Sequence, residues 1–485
     1  MIRFFLLIIF FLCAAVPVTA SETKTAGTKA DETPAAVASE KKLPEWSVLV
    51  YMFGQDKTTY KNARSKAALL EQTGSSEKTN ILLEIGLDKK RGNIAHYDND
   101  PKTVRRYFLK KATDDEKENS DGLKSVPEYE SSGVDMYLME DLGGFIKWAK
   151  EKHPAKHYML MLWSRYVYMP LRCMNACYAY REDIPAIAVA RELKSAGGVD
   201  VLAIDSDGLQ SADWLYELRG AADYVVGTES NKMVSGYSYS KLFDALNAGG
   251  VEPLKAAEAV AYAYVANTDA VNDEMNSEFS SFSSTQGYSQ SVVYMAQLPK
   301  LKKKADAFVK AIMASAKKEQ ALEILEKSLY FKDDRPARYD FSPFAVDIYD
   351  FATEAEKNFT DKKILSTAKE LKEQVNKTVL FNLKKDSENM WNVRENINLS
   401  RSAGISVSLP RATRRYYHTS EWNKKGSTWD KFRKWIYSVE DSGSPNNGIP
   451  FSNDPCIPNT VTGTPGYYSC GQNAGRMDKV YGIGN

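Results

Sequence analysis

Two aspartates after a predicted strand are the residues of this sequence best placed to do chemistry. Residues 199–204 are mostly apolar and β-branched, which predicts a strand buried on both faces. Asp205 and Asp207 follow in a turn that ends at Gly208. In an open α/β sheet, reactive and binding groups lie just past the carboxyl ends of the strands. Both carboxylates are therefore candidate site residues.

The cysteines are the next group with chemical potential. Four remain outside an apolar leader, and an even number in an exported chain favours disulfides. Three pairings are open, and the local one joins Cys173 to Cys177 and Cys456 to Cys470. Free buried thiols are the alternative for the first pair. Neither pair has histidines at ligand spacing, so we predict no metal site and no cofactor.

Alternating strand and helix patterns must position these residues. Apolar runs predict strands, and stretches with apolar residues at helical spacing predict helices. The predicted strands are 46–53, 80–85, 104–109 (a candidate edge strand), 157–163, 199–204, 224–226 and 404–410. The predicted helices are 57–72, 138–153, 184–196, 209–219, 254–266, 298–329, 347–377 and 429–437. We expect loops at 114–130 and 277–290. This order predicts a three-layer α/β/α fold with a mostly parallel sheet and an added helical C-terminal region.

Composition and charge narrow the class of protein. The chain has 485 residues, 43% of them hydrophobic, and 64 basic residues oppose 63 acidic ones for a net charge of +1. With this balance, no strong electrostatic field argues for binding to nucleic acid or to a membrane surface. Arg3, an apolar run and small residues before position 21 predict a secretory signal peptide. We therefore expect a periplasmic or extracellular protein with no membrane span once the signal is removed.

The chain divides into six predicted segments. They are a signal peptide (1–20), a disordered linker (21–44), an α/β domain (45–295), a helical region (296–400), a strand and helix that return to the core (401–438), and a tail rich in Gly, Pro and Asn (439–485). The tail carries the Cys456–Cys470 pair. Nothing in the sequence indicates the oligomeric state.

Several motifs resemble the clostripain (C11) family of secreted cysteine peptidases, which have a caspase-like fold. They are W-S-V-L-V-Y-M-F-G at 46–54, G-G-F-I-K-W-A-K-E-K-H-P-A-K-H-Y at 143–158, M-L-W at 161–163, Y-E-L-R-G-A-A-D-Y-V-V-G-T-E-S at 216–230, G-Y-S-Y at 236–239 and G-I-S-V-S-L-P at 404–410. They occur in the family's order between Trp46 and Tyr437. The resemblance implies a caspase-like α/β domain and a site at the strand ends.

The catalytic residues of the family do not carry over. Members place a histidine-glycine pair after the L-W strand, where this sequence has Arg165 and Tyr166. Members place the nucleophile in an Asp-Ala-Cys turn, where this sequence has Asp207 at the cysteine position. A guanidinium stays protonated near neutral pH and cannot act as the base, and a carboxylate attacks amides poorly. We predict that Arg165 and Asp207 form an ion pair in the place of the dyad; two unrelated solvated charges are the alternative.

Other residues do not restore a catalytic pair. His157 begins its strand at the opposite end from Arg165, and His96, His153 and His418 lack a partner signature. Asp205 matches an acidic residue that the resemblance places near the pocket for a basic side chain. It would bind Arg or Lys peptides there, or it would satisfy backbone amides of its own turn or be a second partner for Arg165.

Three functions are consistent with these observations. The first is an exported pseudopeptidase with a binding or regulatory role toward basic peptides or a protein partner. The second is an active cysteine endopeptidase that cleaves after Arg or Lys and uses Cys173 or Cys177. The third is a structural, envelope-associated protein that uses its lysine-rich helices and tail as contact surfaces. The substitutions at Arg165 and Asp207 favour the first.

Overall fold

The computed structural model describes residues 42–54, 57–87, 103–113, 115, 117–119, 122–134, 136, 139, 141–163, 186–205, 210–230, 236–278, 287–331, 345–386, 398–410, 418 and 420–438. The chain divides into two compact units, Met1–Lys42 and Leu43–Asn485. The signal peptide, nearly all of the linker and the tail predicted from the sequence lie outside the described residues. The fold given below is that of the second unit.

A nine-stranded sheet forms the middle layer. Its order is β11-β8-β7-β6-β5-β1-β2-β3-β4. The strands are β1 (Trp46–Met52), β2 (Thr79–Leu87), β3 (Thr103–Phe108), β4 (Tyr129–Ser132), β5 (His157–Trp163), β6 (Val199–Asp205), β7 (Ala222–Gly227), β8 (Tyr288–Tyr294) and β11 (Val379–Lys385). The five central strands pair in parallel, whereas the two at each edge pair antiparallel. The predicted mostly parallel sheet is confirmed.

Helices cover both faces of this sheet. The eleven described helices are α1 (Lys57–Thr73), α2 (Leu142–Lys152), α3 (Ala186–Ser195), α4 (Ala212–Glu217), α5 (Tyr239–Asn247), α6 (Pro253–Glu278), α7 (Leu298–Ser315), α8 (Lys318–Lys327), α9 (Ile348–Asn358), α10 (Lys362–Thr378) and α11 (Thr428–Tyr437). Apolar residues of α1, α5 and α6 form one core, here called the front core. Those of the other eight helices form the back core on the opposite face. This is the predicted three-layer α/β/α arrangement.

A small second sheet joins the chain's last third. Its order is β12 (Ser406–Ser408), β10 (Ala345–Asp347) and β9 (Tyr330–Phe331), all antiparallel. The strand predicted at 404–410 lies here and not in the main sheet. It nonetheless contacts the segment directly before α4. Ser406 forms a β-bridge with Ser211, and its amide donates to the Gln210 carbonyl at 2.9 Å.

The structure corrects the prediction at the sheet edges. β3 is not an edge strand, because β4 pairs outside it within the segment predicted as a loop. The β4 sequence is polar and its side chains are mostly exposed, so it lacks apolar alternation. β8 overlaps the loop predicted at 277–290, and its Ser289, Gln290 and Ser291 are fully buried although they are polar. Hydrophobic periodicity cannot find strands of either kind.

The helical region also differs from the prediction. The helix predicted at 298–329 is two helices, α7 and α8, separated where Ala316 adopts an extended backbone. The helix predicted at 347–377 is likewise two, because Asp361 caps a new helix by accepting bonds from the amides of Lys363 and Ile364 at 2.8 and 2.9 Å. Helix α5 was not predicted, and α4 is shorter than the predicted 209–219. No helix within the described ranges is long and apolar enough to cross a membrane.

A buried ion triad joins β2 and β3 to the start of α2. Arg106 on β3 lies 2.6 Å from Glu84 on β2 and 2.6 Å from Asp141, which precedes α2. The guanidinium also lies over the ring of Tyr129 on β4, at 4.3 Å from its centroid. Burial raises the pKa of Glu84 to about 8, and the charge of Arg106 opposes that rise. The Glu84 side chain is fully buried, so it depends on this one cation.

Replacing the central cation should expose this dependence. Arg106→Leu leaves Glu84 buried without its counter-charge, and we expect a loss of about 3–5 kcal/mol in the free energy of unfolding. The adjacent Arg105→Leu removes a contact with Glu130, whose side chain is 46% exposed, and should cost about 1 kcal/mol or less. Urea unfolding of both variants measures the difference. Adding Glu84→Gln to Arg106→Leu should recover part of the loss; equal losses for Arg105 and Arg106 would contradict the proposed dependence.

Candidate functional site

The parallel register places the candidate site at one edge of the sheet. Trp163, the last residue of β5, pairs with Asp205, the last residue of β6. Met52, the last residue of β1, pairs with Trp163 on its other side. Three adjacent strands therefore end at the same level. Arg165 and Asp207 follow Trp163 and Asp205 by two residues each, and both lie outside the described residues, as do Tyr166 and every cysteine.

Asp205 is fully buried beneath a neighbouring segment of chain. Alternation along β6 places it on the same face as Val201 and Ala203 of the front core. Gly236 lies against its carboxylate, because a Cβ built on Gly236 would be 3.0 and 3.1 Å from the two Asp205 oxygens. The backbone of Gly236 has φ +66°, a left-handed conformation that favours glycine. The close approach therefore requires a residue without a side chain.

Three hydrogen bonds hold the covering segment, Gly236 to Ser238, in place. The Tyr237 hydroxyl donates to the Ile204 carbonyl at 3.1 Å, next to Asp205 in sequence. The Asn267 side-chain amide on α6 donates to the Gly236 carbonyl at 2.8 Å. The amide of Ser238 donates to the Ala263 carbonyl at 3.0 Å. These bonds tie the G-Y-S-Y motif to both β6 and α6, so an external cation would reach Asp205 only after displacement of neighbouring chain.

The described histidines lie away from these strand ends or are engaged with other groups. His157 starts β5 at the opposite edge, as predicted, with its Nδ1 3.2 Å from Asp200. His153 lies 2.9 Å from Glu128 and stacks on the Phe108 ring. The Nδ1 atom of His418 is 2.9 Å from the Asn423 carbonyl oxygen. The described residues include no cysteine, so no imidazole meets a thiol among them.

Glu229, which the sequence analysis did not select, is the centre of a buried polar junction beside the same edge. It follows β7 in the motif T-E-S and is 2% exposed. Its Oε2 accepts hydrogen bonds from the Ser402 hydroxyl at 2.5 Å, the Gly404 amide at 3.0 Å and the Ser289 hydroxyl at 3.4 Å. One carboxylate thus joins β7, β8 and the segment that leads into β12.

Asp347 holds that segment from its other side. Its carboxylate accepts from the Ala403 amide at 2.6 Å, and also caps α9 by accepting from the amides of Tyr349 and Asp350 at 2.9 and 2.8 Å. Arg401, just before the segment, donates to both oxygens of Asp350 at 2.6 and 3.1 Å. Residues 402–404 are therefore clamped between two buried carboxylates.

Both carboxylates of the clamp bind protons more tightly than usual. Burial raises the pKa of Glu229 well above its ordinary range, and the negative charge of Asp347 raises it further. Burial also raises the pKa of Asp347 to about 7, although the Ala403 amide opposes this. An acidic residue two positions after a strand was a sequence signal for Glu229. Its partners lie far away in the chain, and no local pattern indicates them.

In the described part of this edge, the buried polar groups hold neighbouring segments of the chain together. Glu229 lies beside two buried serines, Ser289 and Ser402, whose hydroxyls are 2.9 Å apart. The Ser402 hydroxyl donates to Glu229 at 2.5 Å, and no described histidine lies in this junction. No set of three or more His, Cys, Asp or Glu residues within the described ranges has the geometry to hold a metal ion.

The clamp should make stability depend on pH. The pKa values of Glu229 and Asp347 are higher in the folded chain than in the unfolded chain, so the unfolded chain releases these protons at lower pH. The free energy of unfolding therefore falls as pH rises from the acid range through about 7. Glu229→Gln keeps an oxygen acceptor for Ser402 and Gly404 but cannot ionise. We expect this variant to lose less stability than the wild type between about pH 5 and about pH 8. Urea unfolding across that range measures the slope.

The control for this experiment is Glu319→Gln, because the Glu319 side chain is 81% exposed. Its pH dependence should match that of the wild type. A Glu229→Gln slope as steep as the wild-type slope would show that the Glu229 carboxylate is charged throughout.

A second variant tests the cover over Asp205. Gly236→Ala combines a left-handed backbone with a contact 3.0 Å from a buried carboxylate that has little room to move. Gly220→Ala has a similar φ of +74° and no atom within 4 Å of the new Cβ. Both should pay roughly 1 kcal/mol of backbone strain, and Gly236→Ala should lose about 1 kcal/mol more through overpacking. Thermal unfolding of the pair checks this; equal losses would show that the Asp205 carboxylate yields freely.

Two solved C11 protease structures share this fold. The X-ray structure of an inactive zymogen C11 protease from Parabacteroides distasonis superposes with a TM-score of 0.54 at 15% identity, over 82% of this chain and 99% of that one. A secreted C11 cysteine protease from Bacteroides thetaiotaomicron, solved with an irreversible peptide inhibitor, gives a TM-score of 0.53 at 15% identity, over 81% and 99%. At this identity, the two structures establish a shared fold. No curated protein sequence matches the chain.

The family assignment comes from the sequence profile. The profile of the clostripain family of C11 peptidases matches residues 50–436, which is most of the chain. The matched region contains β5, β6, the Asp205 cover and the Glu229 clamp. By this match, and with the fold shared by two C11 proteases, the chain belongs to the clostripain family.

Proposed function

We propose that this chain is an exported clostripain-family pseudopeptidase with a binding or regulatory role. The observation that carries the proposal is the pair of substitutions at the family's catalytic positions: Arg165 where the resemblance places histidine, and Asp207 where it places cysteine. The apolar leader at residues 1–20 supports export. The proposal concerns the reaction at the strand ends and leaves the fold assignment untouched.

The strand register supports the assignment of positions 165 and 207 to one site. Trp163 and Asp205 are paired neighbours at the ends of parallel strands, and Arg165 and Asp207 are each two residues further along. Two residues span at most about 7 Å, so the two side chains originate near one edge of the sheet. A dyad placed here needs exchange of a proton between its members, and the two residues in this sequence cannot provide it.

Side-chain chemistry explains the loss. The guanidinium of Arg165 holds its proton far above neutral pH, so it cannot accept one from a nucleophile. The carboxylate of Asp207 is a weak nucleophile toward an amide compared with a thiolate. Opposite charges on adjacent strand ends instead favour an ion pair between Arg165 and Asp207 that fills the former catalytic position. Such a pair contributes little net stability, but removal of one partner should be costly.

The binding role rests on Asp205. In the resembled family the matching acidic residue lies near the pocket for a basic side chain, and in this chain the carboxylate is fixed at the end of β6 beneath Gly236. We propose that it receives an Arg or Lys side chain of a bound peptide when the segment from Gly236 to Ser238 is displaced. A protein partner with an exposed basic loop presents the same chemistry.

A peptidase assay tests the silent centre. Purified chain lacking residues 1–20 is incubated with Arg- and Lys-containing fluorogenic peptides, with and without a thiol-alkylating agent. We expect no turnover in either condition. Turnover that disappears on alkylation would overturn the proposal and favour an active enzyme that uses Cys173 or Cys177.

A restoration series strengthens the test. Arg165→His, Tyr166→Gly and Asp207→Cys together return the residue types of the family, and we expect alkylation-sensitive turnover in the triple variant. Asp207→Cys alone supplies a thiol without its base and is the matched control, which should remain far less active.

Binding of a non-hydrolysed Arg peptide to wild type and to Asp205→Asn, measured by calorimetry, tests the proposed pocket separately. Equal affinity would remove Asp205 from it.

A further inference from the structure

Two lysine-rich helices lie side by side in the layer that covers the back of the sheet. Helix α7 buries Leu301 and Phe308 in the back core, and α10 buries Ile364 and Leu371 in the same core. The opposite stripes of both helices therefore face solvent on the same side of the molecule. Lys304 on α7 reaches Glu370 on α10 at 2.7 Å, which shows that the two outer stripes adjoin.

These stripes form one basic surface, here called the lysine face. Its members are Lys300, Lys303, Lys304 and Lys310 on α7 and Lys362, Lys363, Lys369 and Lys377 on α10. The acidic residues on the exposed stripes of the two helices are Glu370 and Glu373, so eight lysines against two glutamates give a local charge of +6. Asp361, which caps α10, reduces this to +5 if it is counted. The net charge of +1 describes the whole chain, whereas the charge is distributed very unevenly over its surface.

Most of these cations have no ion-pair partner in the described part of the chain. Lys304 pairs with Glu370, but none of the other seven lysines lies within ion-pair distance of a described carboxylate. The bond and charge of Lys304, and then the charge of Lys363, hold the pKa of Glu370 below its usual value. The one paired carboxylate is therefore surrounded by positive charge and does not neutralise the face.

The composition of the face selects its partner. Every cation is a lysine, which acts as a point charge on a flexible stem and does not impose the fork geometry of arginine. None of the large hydrophobic residues exposed in the described chain lies on α7 or α10, so the face has no apolar anchor of the kind found in protein interfaces. It also has no aromatic platform for nucleic-acid bases. A spread of flexible charges matches a fluid surface whose anions can rearrange beneath it.

We propose that the lysine face binds the surface of bilayers rich in anionic phospholipid. Helix α7 has 18 residues and is therefore about 27 Å long, so the face covers several headgroups at once. Each lysine near an anionic membrane adds about 1 kcal/mol, a factor of roughly five in partition coefficient, and salt screens this attraction. The protein adheres through charge alone and inserts no helix. The proposal is independent of whether the strand-end site is catalytic.

Vesicle sedimentation tests the proposal with full-length mature chain. The probes are vesicles of phosphatidylcholine alone and of phosphatidylcholine with an equal share of phosphatidylglycerol. We expect binding only to the anionic vesicles, and loss of that binding as salt rises. Free glycerophosphoglycerol should not compete, because a single headgroup engages one or two lysines and the attraction requires many.

Charge-matched variants locate the binding surface. Lys300→Gln, Lys303→Gln and Lys310→Gln together should lower the partition coefficient by about a hundredfold. The control replaces Lys111, Lys241 and Lys255, which are exposed elsewhere, and has the same net charge. It should bind nearly as well as the wild type. Three results would overturn the proposal: equal loss in both triple variants, equal binding of the wild type to neutral and anionic vesicles, or no binding of the folded wild type to anionic vesicles. Circular dichroism checks that every sample is folded.

Discussion

The hydrogen-bond register of the central parallel strands is the constraint on which the strand-end site depends. Pairing of β1, β5 and β6 brings Met52, Trp163 and Asp205 to one level, so the chain leaves three adjacent strands at the same edge. A slip of one residue would turn every side chain of a strand to the other face, and the buried apolar residues of both cores forbid it. The family's site position therefore persists whatever residues occupy it.

This separation of scaffold from chemistry makes the proposed loss of the catalytic pair compatible with the family's fold. The core strands consist of apolar side chains that do not depend on residues beyond their ends. The polar fasteners near the edge, Glu229 and Asp347, hold residues 402–404 and do not require a histidine or a thiol.

Sequence patterns found those parts of the fold that local hydrophobicity determines. β1, β5 and β6 were predicted within a residue or two because their apolar runs are continuous and are bounded by turn residues. β8 was missed because its buried side chains include polar ones, and the serines among them bond to Glu229 and Gln210, which are distant in sequence. Asp205 was placed correctly at a strand end, but its cover by Gly236 was not foreseen. The clamp on residues 402–404 depends entirely on such long-range partners.

The same limit applies to charge, and here the structure changes the inference most. The near-equal numbers of basic and acidic residues indicated no strong field, yet a balance over the chain does not describe its surface. Acidic residues such as Glu84, Asp205, Glu229 and Asp347 are buried, where they serve local contacts and do not offset exposed lysines. Burial of carboxylates on the strands and exposure of lysines on α7 and α10 thus arise together from one fold. Because the lysine face looks outward from a helical layer while the strand ends open at the sheet's edge, a peptide at Asp205 and an anionic surface at the helices would occupy different sides of the molecule. The proposed pseudopeptidase centre and the proposed membrane-binding lysine face are therefore compatible, because each uses its own surface of the same fold.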